Sequence, residues 1–390
     1  MSVSYWLDKR NVKVKIKTDI AIIGGGITGV LLAYWMDKLG DIKVALIEKG
    51  EIGSGATGRN AGFLLAGTSE NYYRMQQQYG KRRSKDIYSL TIENHNIIKE
   101  IINKNSISCD YTPCGSITAA VTAEELAELE KSADLLAKDG FESKLIGNDI
   151  PDFENCFGGI LKQSDGGLNP VRFVNGVVSS YSENIELFQH CEVYNYNTTK
   201  NGVKITADKL IVDCEMAILA VNGYAGAVSS FLKGKVVPTR GQVLAVAPIK
   251  RQLFDGNSIY CDFGFEYFRQ LPNGAVLLGG FRQDYRTEEL GYSDETTENI
   301  QKGLEIFIDK HLPLLKGREI THRWSGVMGF SPDGLPLIGE LPSQPGVMFI
   351  GGYTGHGLGF SAVLSKGLVQ QLLNGRTDIP LGIFSIRRLI

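Results

Sequence analysis

The sequence predicts an α/β fold of mixed α+β character, in which a nucleotide-binding domain is combined with a second domain built largely from β-sheet. Three observations predict it. An apolar, β-branched run at 19–23 is followed by a glycine turn, a helix-like run at 30–39 and a second apolar run at 42–47. The stretch 235–281 is rich in strand-forming residues, and an apolar run at 346–352 leads into a helical pattern. Alternating strands and helices that enclose a β-rich middle indicate a two-part α/β protein.

The turn between the first strand and the first helix, Gly24 to Gly29, has the spacing of a dinucleotide-binding turn. Gly24 permits the tight turn, Gly26 lets the backbone approach a pyrophosphate, and Gly29 allows helix and strand to pack closely. Glu48 ends the second strand, where a carboxylate hydrogen-bonds ribose hydroxyls and disfavours a 2′-phosphate. We therefore predict a Rossmann-like site for the ADP half of a dinucleotide, with the pyrophosphate on the helix N-terminus. An α/β turn without a ligand is the alternative.

The composition is that of an ordinary globular protein, and 390 residues are enough for two domains. A formal net charge of −2 gives no reason to expect binding to nucleic acid or to an anionic membrane. The six cysteines form no CxxC pair and no histidine stands at metal-ligand spacing, so we expect no metal site. Residues 1–19 lack an apolar core of signal-peptide length, and no apolar run of about 20 residues occurs. We expect a cytoplasmic protein without a membrane span.

The remaining elements follow from local polarity and turn residues. Thr122 and Glu125 form a capping box for a helix that should end near Lys138, before Gly140. The Pro-Asn-Gly sequence at 272–274 predicts a hairpin in the β-rich region. We predict a loop at 50–67, helices at 71–105, 171–181, 294–311 and 358–373, and strands at 115–121, 191–196, 202–207, 209–214 and 216–221.

The order of these elements predicts a discontinuous first domain. Only one βαβ unit is clear, whereas an NAD-dependent dehydrogenase would more often continue as βαβαβ without a β-rich interruption. We assign residues 1–70, 150–232 and 320–390 to the nucleotide-binding domain, and residues 71–149 and 233–319 to a substrate domain.

A second glycine-rich turn, Tyr353 to Gly357, lies between the strand predicted at 346–352 and the last long helix. A helix N-terminus presents free N–H groups to partial negative charge. In a flavoenzyme that charge is the N1/C2=O edge of the isoalloxazine, which makes His356 a candidate neighbour of the flavin edge. An ordinary strand-to-helix turn, with a structural histidine, is the alternative.

These motifs resemble those of the FAD-dependent amine and amino-acid oxidoreductases of the D-amino-acid oxidase superfamily, which includes glycine and sarcosine oxidases. The resemblance covers nearly the whole chain. Besides Gly24 to Gly29 and Glu48, it depends on GSGATGRNAG at 53–62, TRGQ at 239–242, FSPDGLPLIG at 330–339 and GGYTGHGLGFS at 351–361. The stretch at 53–62 and the sequence MGFSPDGLPLIG are most similar to the γ-glutamylputrescine oxidase branch.

The resemblance implies an FAD-binding domain, a discontinuous β-sheet substrate domain and a flavin between them. It implies FAD contacts from Gly24, Gly26, Ile27, Thr28, Gly29, Glu48, Lys49, Gly55, Ala56, Thr57, Arg59, Asn60, Ala61, Val193, Gly223, Gly326, Gly355, His356, Gly357, Leu358 and Gly359. The candidate substrate contacts are Tyr267, Arg269, Met328 and Arg59. Tyr267 and Arg269 alternate on one face of the strand before the hairpin, although both could be surface residues, as could Arg59.

Departures from the family pattern refine these expectations. No cysteine follows Cys261 and no histidine precedes His95, so the usual covalent flavin links are missing and we expect non-covalent FAD. Leu277 stands where sarcosine oxidases carry a lysine near the flavin, which puts fast reaction with oxygen in doubt. Met328 stands near the position of the carboxylate-binding arginine of glycine oxidase. Any charged group of the substrate should therefore lie away from an apolar reacting end.

The resemblance implies oxidation of a C–N bond in a small amine or amino acid by hydride transfer to flavin N5, giving an imine that hydrolyses. No catalytic side chain is assigned, because the flavin carries the chemistry. The electron acceptor is oxygen or another molecule. Two alternatives remain: a flavin dehydrogenase that passes electrons to a quinone or partner protein, and a non-catalytic FAD-binding subunit of an oxidase complex.

Overall fold

Two eight-stranded sheets organise the protein, whose computed structural model describes residues 13–389. The first twelve positions of the segment predicted to lack a signal peptide, and position 390, lie outside the described residues. None of the helices within residues 13–389 has the length and apolar character needed to cross a membrane.

Nine α-helices and eighteen β-strands lie within residues 13–389. The α-helices are α1 (Ile27–Leu39), α2 (Ala56–Arg59), α3 (Tyr72–Tyr79), α4 (Lys81–Lys104), α5 (Ala123–Asp139), α6 (Pro170–Val178), α7 (Ala225–Val228), α8 (Glu298–His311) and α9 (Gly357–Asn374). The strands are β1 (Val14–Ile23), β2 (Val44–Ile47), β3 (Phe63–Leu64), β4 (Ser116–Ala120), β5 (Lys144–Ile146), β6 (Gly158–Lys162), β7 (Gly166–Gly167), β8 (Ile185–Phe188), β9 (Val193–Thr199), β10 (Gly202–Ala207), β11 (Leu210–Leu219), β12 (Val237–Val246), β13 (Ser258–Cys261), β14 (Glu266–Gln270), β15 (Val276–Gly279), β16 (Ile320–Phe330), β17 (Leu337–Glu340) and β18 (Val347–Gly351).

The first sheet has the order β17-β18-β11-β1-β2-β8, and β10 and β9 extend it from β11. Its central strands β18, β11, β1, β2 and β8 are parallel. Alternation along β1 sends Ile22 into a core with α1, α4 and α9, and sends Ala21 and Ile23 into a second core on the opposite face. Burial on both faces explains why β1 and β2 end in nearly continuous apolar runs, which the sequence shows as strands.

The second sheet has the order β16-β12-β15-β14-β13-β4-β6-β5 and is mostly antiparallel. Phe268 and Leu278 point to one face, where they pack with α8 through Leu304. Tyr267, next to Phe268 in β14, and Tyr260 in β13 point to the other face, where they line a cavity. Period-two alternation in β13 and β14 thus separates the core of this sheet from its ligand-facing side.

The structure refines several predicted elements. The capping box is present at α5, because Thr122 Oγ1 accepts the Glu125 N–H and a Glu125 carboxylate oxygen accepts the Val121 N–H. The strands predicted at 209–214 and 216–221 form one strand, β11, and the loop predicted at 50–67 contains α2 and β3.

The sheets also divide the chain differently from the predicted domain boundaries. β6 and β16 lie in the second sheet, because β6 pairs with β4 and β16 pairs with β12 along its length. The predicted boundaries, in contrast, assign 150–232 and 320–390 to the nucleotide-binding domain. Conversely, α4 lies in the range predicted for the substrate domain but packs its apolar face, including Ile87, Ile98 and Ile101, into the core of the first sheet.

Candidate active site

A cavity of about 1090 Å³ extends from the carboxyl ends of the first sheet to the open face of the second. Ile23 and Ile47, at the ends of β1 and β2, line it on one side, and Tyr260 and Tyr267 line it on the other. In open α/β sheets the crevice outside the carboxyl ends of the strands is the usual ligand site. The volume slightly exceeds the usual range for a ligand pocket, about 300–1,000 Å³.

The turn after β1 is shaped by its glycines. Gly24 has a φ of +111°, which glycine adopts without strain. A Cβ on Gly29 would lie 1.9 Å from the Gly24 carbonyl oxygen, so the helix packs on the turn only because Gly29 has no side chain. A Cβ on Gly26 would instead project into the cavity, with only Thr57 Oγ1 nearby at 3.2 Å. No side chain caps α1, and the Ile27 N–H donates to Thr57 Oγ1 at 2.9 Å.

The Glu48 carboxylate lies in the cavity wall just beyond β2. One of its oxygens accepts the Gly25 N–H and the other accepts the Gly50 N–H, each at 2.7 Å. An ionised carboxylate has about four lone-pair positions, so two backbone bonds leave room to accept ligand hydroxyls. Lys49 lies over the Tyr224 ring, with Nζ 3.9 Å from the centroid.

The segment around α2 connects the two sheets across the cavity. Arg59 donates from Nη1 to the Ser325 carbonyl at 2.8 Å, and its own carbonyl accepts the Trp324 Nε1–H at 3.0 Å. Arg59 also pairs with Asp294 at 3.6 Å. A Cβ on Gly326 would lie 2.8 Å from Arg59 Cβ, so glycine allows this segment to pack directly on β16.

The second glycine turn lies at the start of α9, which no side chain caps. Its Tyr353 hydroxyl accepts a hydrogen bond from Thr28 Oγ1 at 2.9 Å, which joins the first turn of α1 to the turn that precedes α9. His356 lines the cavity, and its buried Nδ1 has no hydrogen-bond partner within the described residues. Burial lowers the pKa of His356 to about 4, so this imidazole is neutral at neutral pH.

Aromatic side chains form the wall contributed by the second sheet. The rings of Tyr260 and Tyr267 stack with centroids 5.9 Å apart, and Phe63 meets both edge-to-face. His356 lies edge-to-face against Tyr260, with centroids 6.1 Å apart. Burial raises the pKa of Tyr267 to about 12 and raises that of Tyr260 further, so both hydroxyls stay protonated. These rings and the neutral His356 therefore give this part of the cavity wall an aromatic, uncharged surface.

The structure brings nearly all the sequence-predicted site residues to this one cavity. Those that line it are Gly24, Gly26, Ile27, Thr28, Glu48, Lys49, Gly55, Ala56, Thr57, Arg59, Asn60, Ala61, Val193, Gly223, Tyr267, Gly326, Met328, Gly355, His356, Gly357, Leu358 and Gly359. Among described residues, Gly29 lies behind the wall, where it sets the packing of α1 on β1.

Arg269 also lies away from the cavity. It shares a strand face with Tyr267 but stands one pleat repeat farther along β14, and its Nη1 donates to the Gly62 carbonyl at 2.7 Å. The guanidinium packs against Gly167, where a Cβ would be 1.9 Å from Nη1. The alternation of residues along β14 predicted which face carries Arg269, but not that its side chain would be buried away from the cavity. Leu277, opposite Arg269 in β15, likewise does not line the cavity within the described chain.

Sequence reasoning missed several residues of the second-sheet end. Tyr260, Phe265, Arg282 and Arg286 all line the cavity. Arg282 lies three residues after the end of β15, and a cation so close to a strand end was the available signal. The sequence does not show, however, which end of β15 meets the cavity.

The residues present fit FAD. Two uncapped helix N-termini, glycines whose missing Cβ atoms leave space and a carboxylate at the end of β2 suit a dinucleotide. No atom lies within 4 Å of a Cβ built on Gly55, and Met328 Sδ, 3.7 Å away, is the only one for Gly355. Among residues 13–389, His, Cys, Asp and Glu side chains form no group of three or more suited to a metal ion.

Comparison with known proteins agrees with this site. Residues 19–371 match the family DAO, described as FAD dependent oxidoreductase. The chain is 26% identical to γ-glutamylputrescine oxidoreductase of Escherichia coli K12, covering 93% of this chain and 85% of that protein. It is 23% identical to glycine oxidase of Bacillus licheniformis, covering 91% and 93%.

Solved structures share the fold. L-proline dehydrogenase from P. horikoshii superposes with a TM-score of 0.81 at 21% identity, covering 96% of this chain and 98% of that one. Glycine oxidase from Geobacillus kaustophilus gives 0.80 at 20% identity, covering 96% and 99%. The family match spans most of the chain and confirms the resemblance predicted from the glycine motifs. The chain belongs to the DAO family of FAD-dependent oxidoreductases, and FAD is its cofactor.

Proposed function

We propose that the protein oxidises a C–N bond of an amine or amino acid. FAD, when bound, supplies the chemistry by accepting a hydride equivalent from the carbon next to nitrogen. The names of the similar γ-glutamylputrescine oxidoreductase, glycine oxidase and sarcosine oxidase subunit beta support this reaction class. The observation that carries the proposal is the aromatic end of the cavity, where Tyr260 and Tyr267 face the uncapped start of α9.

The start of α9 supplies positive potential to this end of the cavity. Gly357, Leu358 and Gly359 form its first turn and line the cavity. N–H groups in a first helical turn favour negative charge, which suits a flavin ring that gains electrons. His356 is neutral there, so it adds a donor or acceptor but no charge.

The aromatic wall favours the neutral form of an amine. Tyr260, Tyr267 and Phe63 exclude water from the surface they cover, and both phenols are protonated. Burial in such surroundings lowers the pKa of an amine, and a neutral nitrogen has the lone pair that oxidation at the neighbouring carbon requires. The wall therefore selects the reactive protonation state without a dedicated base.

The cofactor contacts form part of this proposal. Glu48 would hold the adenosine ribose, the Gly26 turn the pyrophosphate, and the residues near Gly355 the flavin edge. Each lies in the wall of the same cavity, which supports one extended ligand reaching all three. Since the covalent attachment residues of related oxidases are missing, we propose that FAD is bound without a covalent link.

The test is reduction of the bound flavin in the absence of oxygen. The holoenzyme is mixed with glycine, sarcosine, L-proline, putrescine or γ-glutamylputrescine, and the loss of flavin absorbance is followed by stopped flow. Glycolate and glycerol 3-phosphate serve as matched controls, because oxidation would then occur at a C–O bond. We expect at least one amine to bleach the flavin and the controls to leave it oxidised. Bleaching by a control alone would refute C–N oxidation.

Two further readouts separate the alternatives. If no compound bleaches the flavin, a non-catalytic FAD-binding subunit becomes the better interpretation. If an amine does, peroxide formation in air identifies an oxidase, whereas reoxidation only by a quinone or dye identifies a dehydrogenase. Leu277 gives no guide here, because it is not among the described residues that line the cavity.

A further inference from the structure

The cations that line the cavity differ in whether a carboxylate neutralises them. Arg59 pairs with Asp294, and Arg74 pairs with Glu70 and Glu128. In contrast, across residues 13–389, neither Arg282 nor Arg286 has a carboxylate oxygen within 4.0 Å, and neither side chain donates a hydrogen bond.

Aromatic faces hold the Arg282 side chain in place. Its guanidinium carbon lies 4.7 Å from the centroid of Phe330 and 5.2 Å from that of Phe265. Arg286 also lies over the Phe265 ring, with its guanidinium carbon 4.9 Å from the centroid. Such contacts stabilise a cation and fix its plane, but they use none of its N–H donors. The five donors of Arg282 therefore stay available to a ligand.

Arg282 is the deeper of the two cations. It is partly buried, whereas Arg286 is exposed at the mouth of the cavity. Burial lowers the pKa of Arg282, and the nearby Tyr260 and Tyr267 hydroxyls act in the opposite direction. An arginine stays charged in proteins, so removing it from water without a counter-ion has a free-energy cost that a bound anion would relieve.

We propose that Arg282 binds a carboxylate of the substrate and that Arg286 attracts it at the cavity mouth. This inference rests on the proposed function and narrows it: the amine that is oxidised carries a carboxylate. A planar guanidinium matches a carboxylate with two parallel hydrogen bonds. The adjoining walls, Phe265 and Phe330, are apolar and offer no donor for the third oxygen of a phosphate.

The test uses a pair of probes of similar size and shape, the anion butyrate and the neutral amide butyramide. Binding to the oxidised holoenzyme is measured by calorimetry and by the shift of the flavin absorbance band, without turnover. Three variants are compared with the wild type: Arg282→Gln, Arg282→Lys and Arg251→Gln. Arg251 is the matched control, since it is an arginine outside the cavity wall that pairs with Asp152.

We expect butyrate to bind the wild type more tightly than butyramide. Arg282→Gln should weaken butyrate about 10- to 100-fold, the range for hydrogen bonds to charged groups, and leave butyramide unchanged. Arg282→Lys should retain part of the preference, and Arg251→Gln all of it. Equal binding of the two probes to the wild type, or an intact preference in a folded Arg282→Gln protein, would overturn the proposal. If Arg282→Gln does not fold, the Arg282→Lys result decides: an unchanged butyrate affinity overturns the proposal, because lysine cannot form the bidentate pair.

The amine panel separates this inference from the proposed function. If putrescine reduces the flavin faster than every carboxylate-bearing amine, C–N oxidation stands and the carboxylate subsite fails. If no amine reduces the flavin but Arg282→Gln abolishes the butyrate preference, the subsite stands and the proposed reaction fails.

Discussion

Two glycines of the first turn give a matched pair of substitutions that separate cofactor binding from folding. In Gly29→Ala the new methyl group would lie 1.9 Å from the Gly24 carbonyl oxygen, a backbone atom that cannot rotate away. In Gly26→Ala the nearest atom is Thr57 Oγ1 at 3.2 Å, and Gly26 has an extended backbone that alanine adopts readily. The two positions are three residues apart, yet only Gly26 faces the cavity.

The expected magnitudes follow from these contacts. Gly29→Ala should lower the free energy of unfolding of the apoprotein by about 1–3 kcal/mol, the usual cost of overpacking. Gly26→Ala should lower it by no more than about 1 kcal/mol, the scale of an N-cap change. Because its methyl group occupies the space expected for the pyrophosphate, Gly26→Ala should weaken FAD binding by at least about tenfold, or 1.4 kcal/mol.

The assays measure the two quantities independently. Urea unfolding of the apoprotein, followed by circular dichroism, gives stability without the contribution of bound ligand. Titration of the apoprotein with FAD, followed by quenching of flavin fluorescence, gives affinity. Wild-type FAD affinity in Gly26→Ala would show that the pyrophosphate does not bind at this turn. A loss of stability equal to that of Gly29→Ala would show instead that Gly26 does not face free space.

Three further predictions concern the cofactor and its surroundings. Glu48→Gln should weaken FAD by about 10- to 100-fold in the same titration, because an amide offers one acceptor oxygen to the ligand and to the Gly25 and Gly50 N–H groups together; unchanged affinity would remove Glu48 from the ribose site. Acid precipitation should release all the flavin into the supernatant, and yellow colour kept by the pellet would contradict non-covalent binding. The lowered pKa of His356, about 4 against an ordinary 6.5, means that the unfolded chain binds the proton more readily, so stability should fall as pH drops from about 6.5 towards 4. His356→Gln should reduce that fall in urea unfolding at pH 7 and pH 5, and an unchanged fall would place its origin elsewhere.

The parts of the structure that the sequence predicts well are those set by neighbouring residues. The unit β1–α1–β2 can be predicted because its buried runs, glycine turn and terminal carboxylate are adjacent in the chain. The capping box of α5 is equally local. By contrast, β16 is a long strand whose first half carries Thr321, His322 and Arg323, and it becomes a strand through its pairing with β12, more than seventy residues earlier. Local polarity does not predict such a pairing partner. For this reason the predicted domain boundary at residue 320 coincides with the start of β16 and separates it from β12.

The same reasoning applies inside the site. Alternation predicted that Tyr267 and Arg269 share a strand face. How far each lies from the cavity depends on β3 and β7, because Gly62, just before β3, and Gly167, in β7, enclose the Arg269 guanidinium. The sequence did not predict Arg282 as a site residue because its contacts are made by residues distant in the chain. Its role depends on Phe265 and Phe330, which come from separate parts of the chain and meet only in the fold.

Met328 and Arg282 together give a physical reason for the proposed position of a substrate carboxylate. Met328 lies at the position where the family resemblance leads us to expect a carboxylate-binding arginine, and it fills the space between Gly241 and Gly355 with a thioether. A carboxylate placed there would lose its hydration without gaining a cation, at a cost of several kcal/mol. Arg282 offers an unpaired guanidinium on the wall formed by the end of β15 instead. An anionic amine would therefore be drawn to the Arg282 wall, leaving Met328 beside its apolar portion.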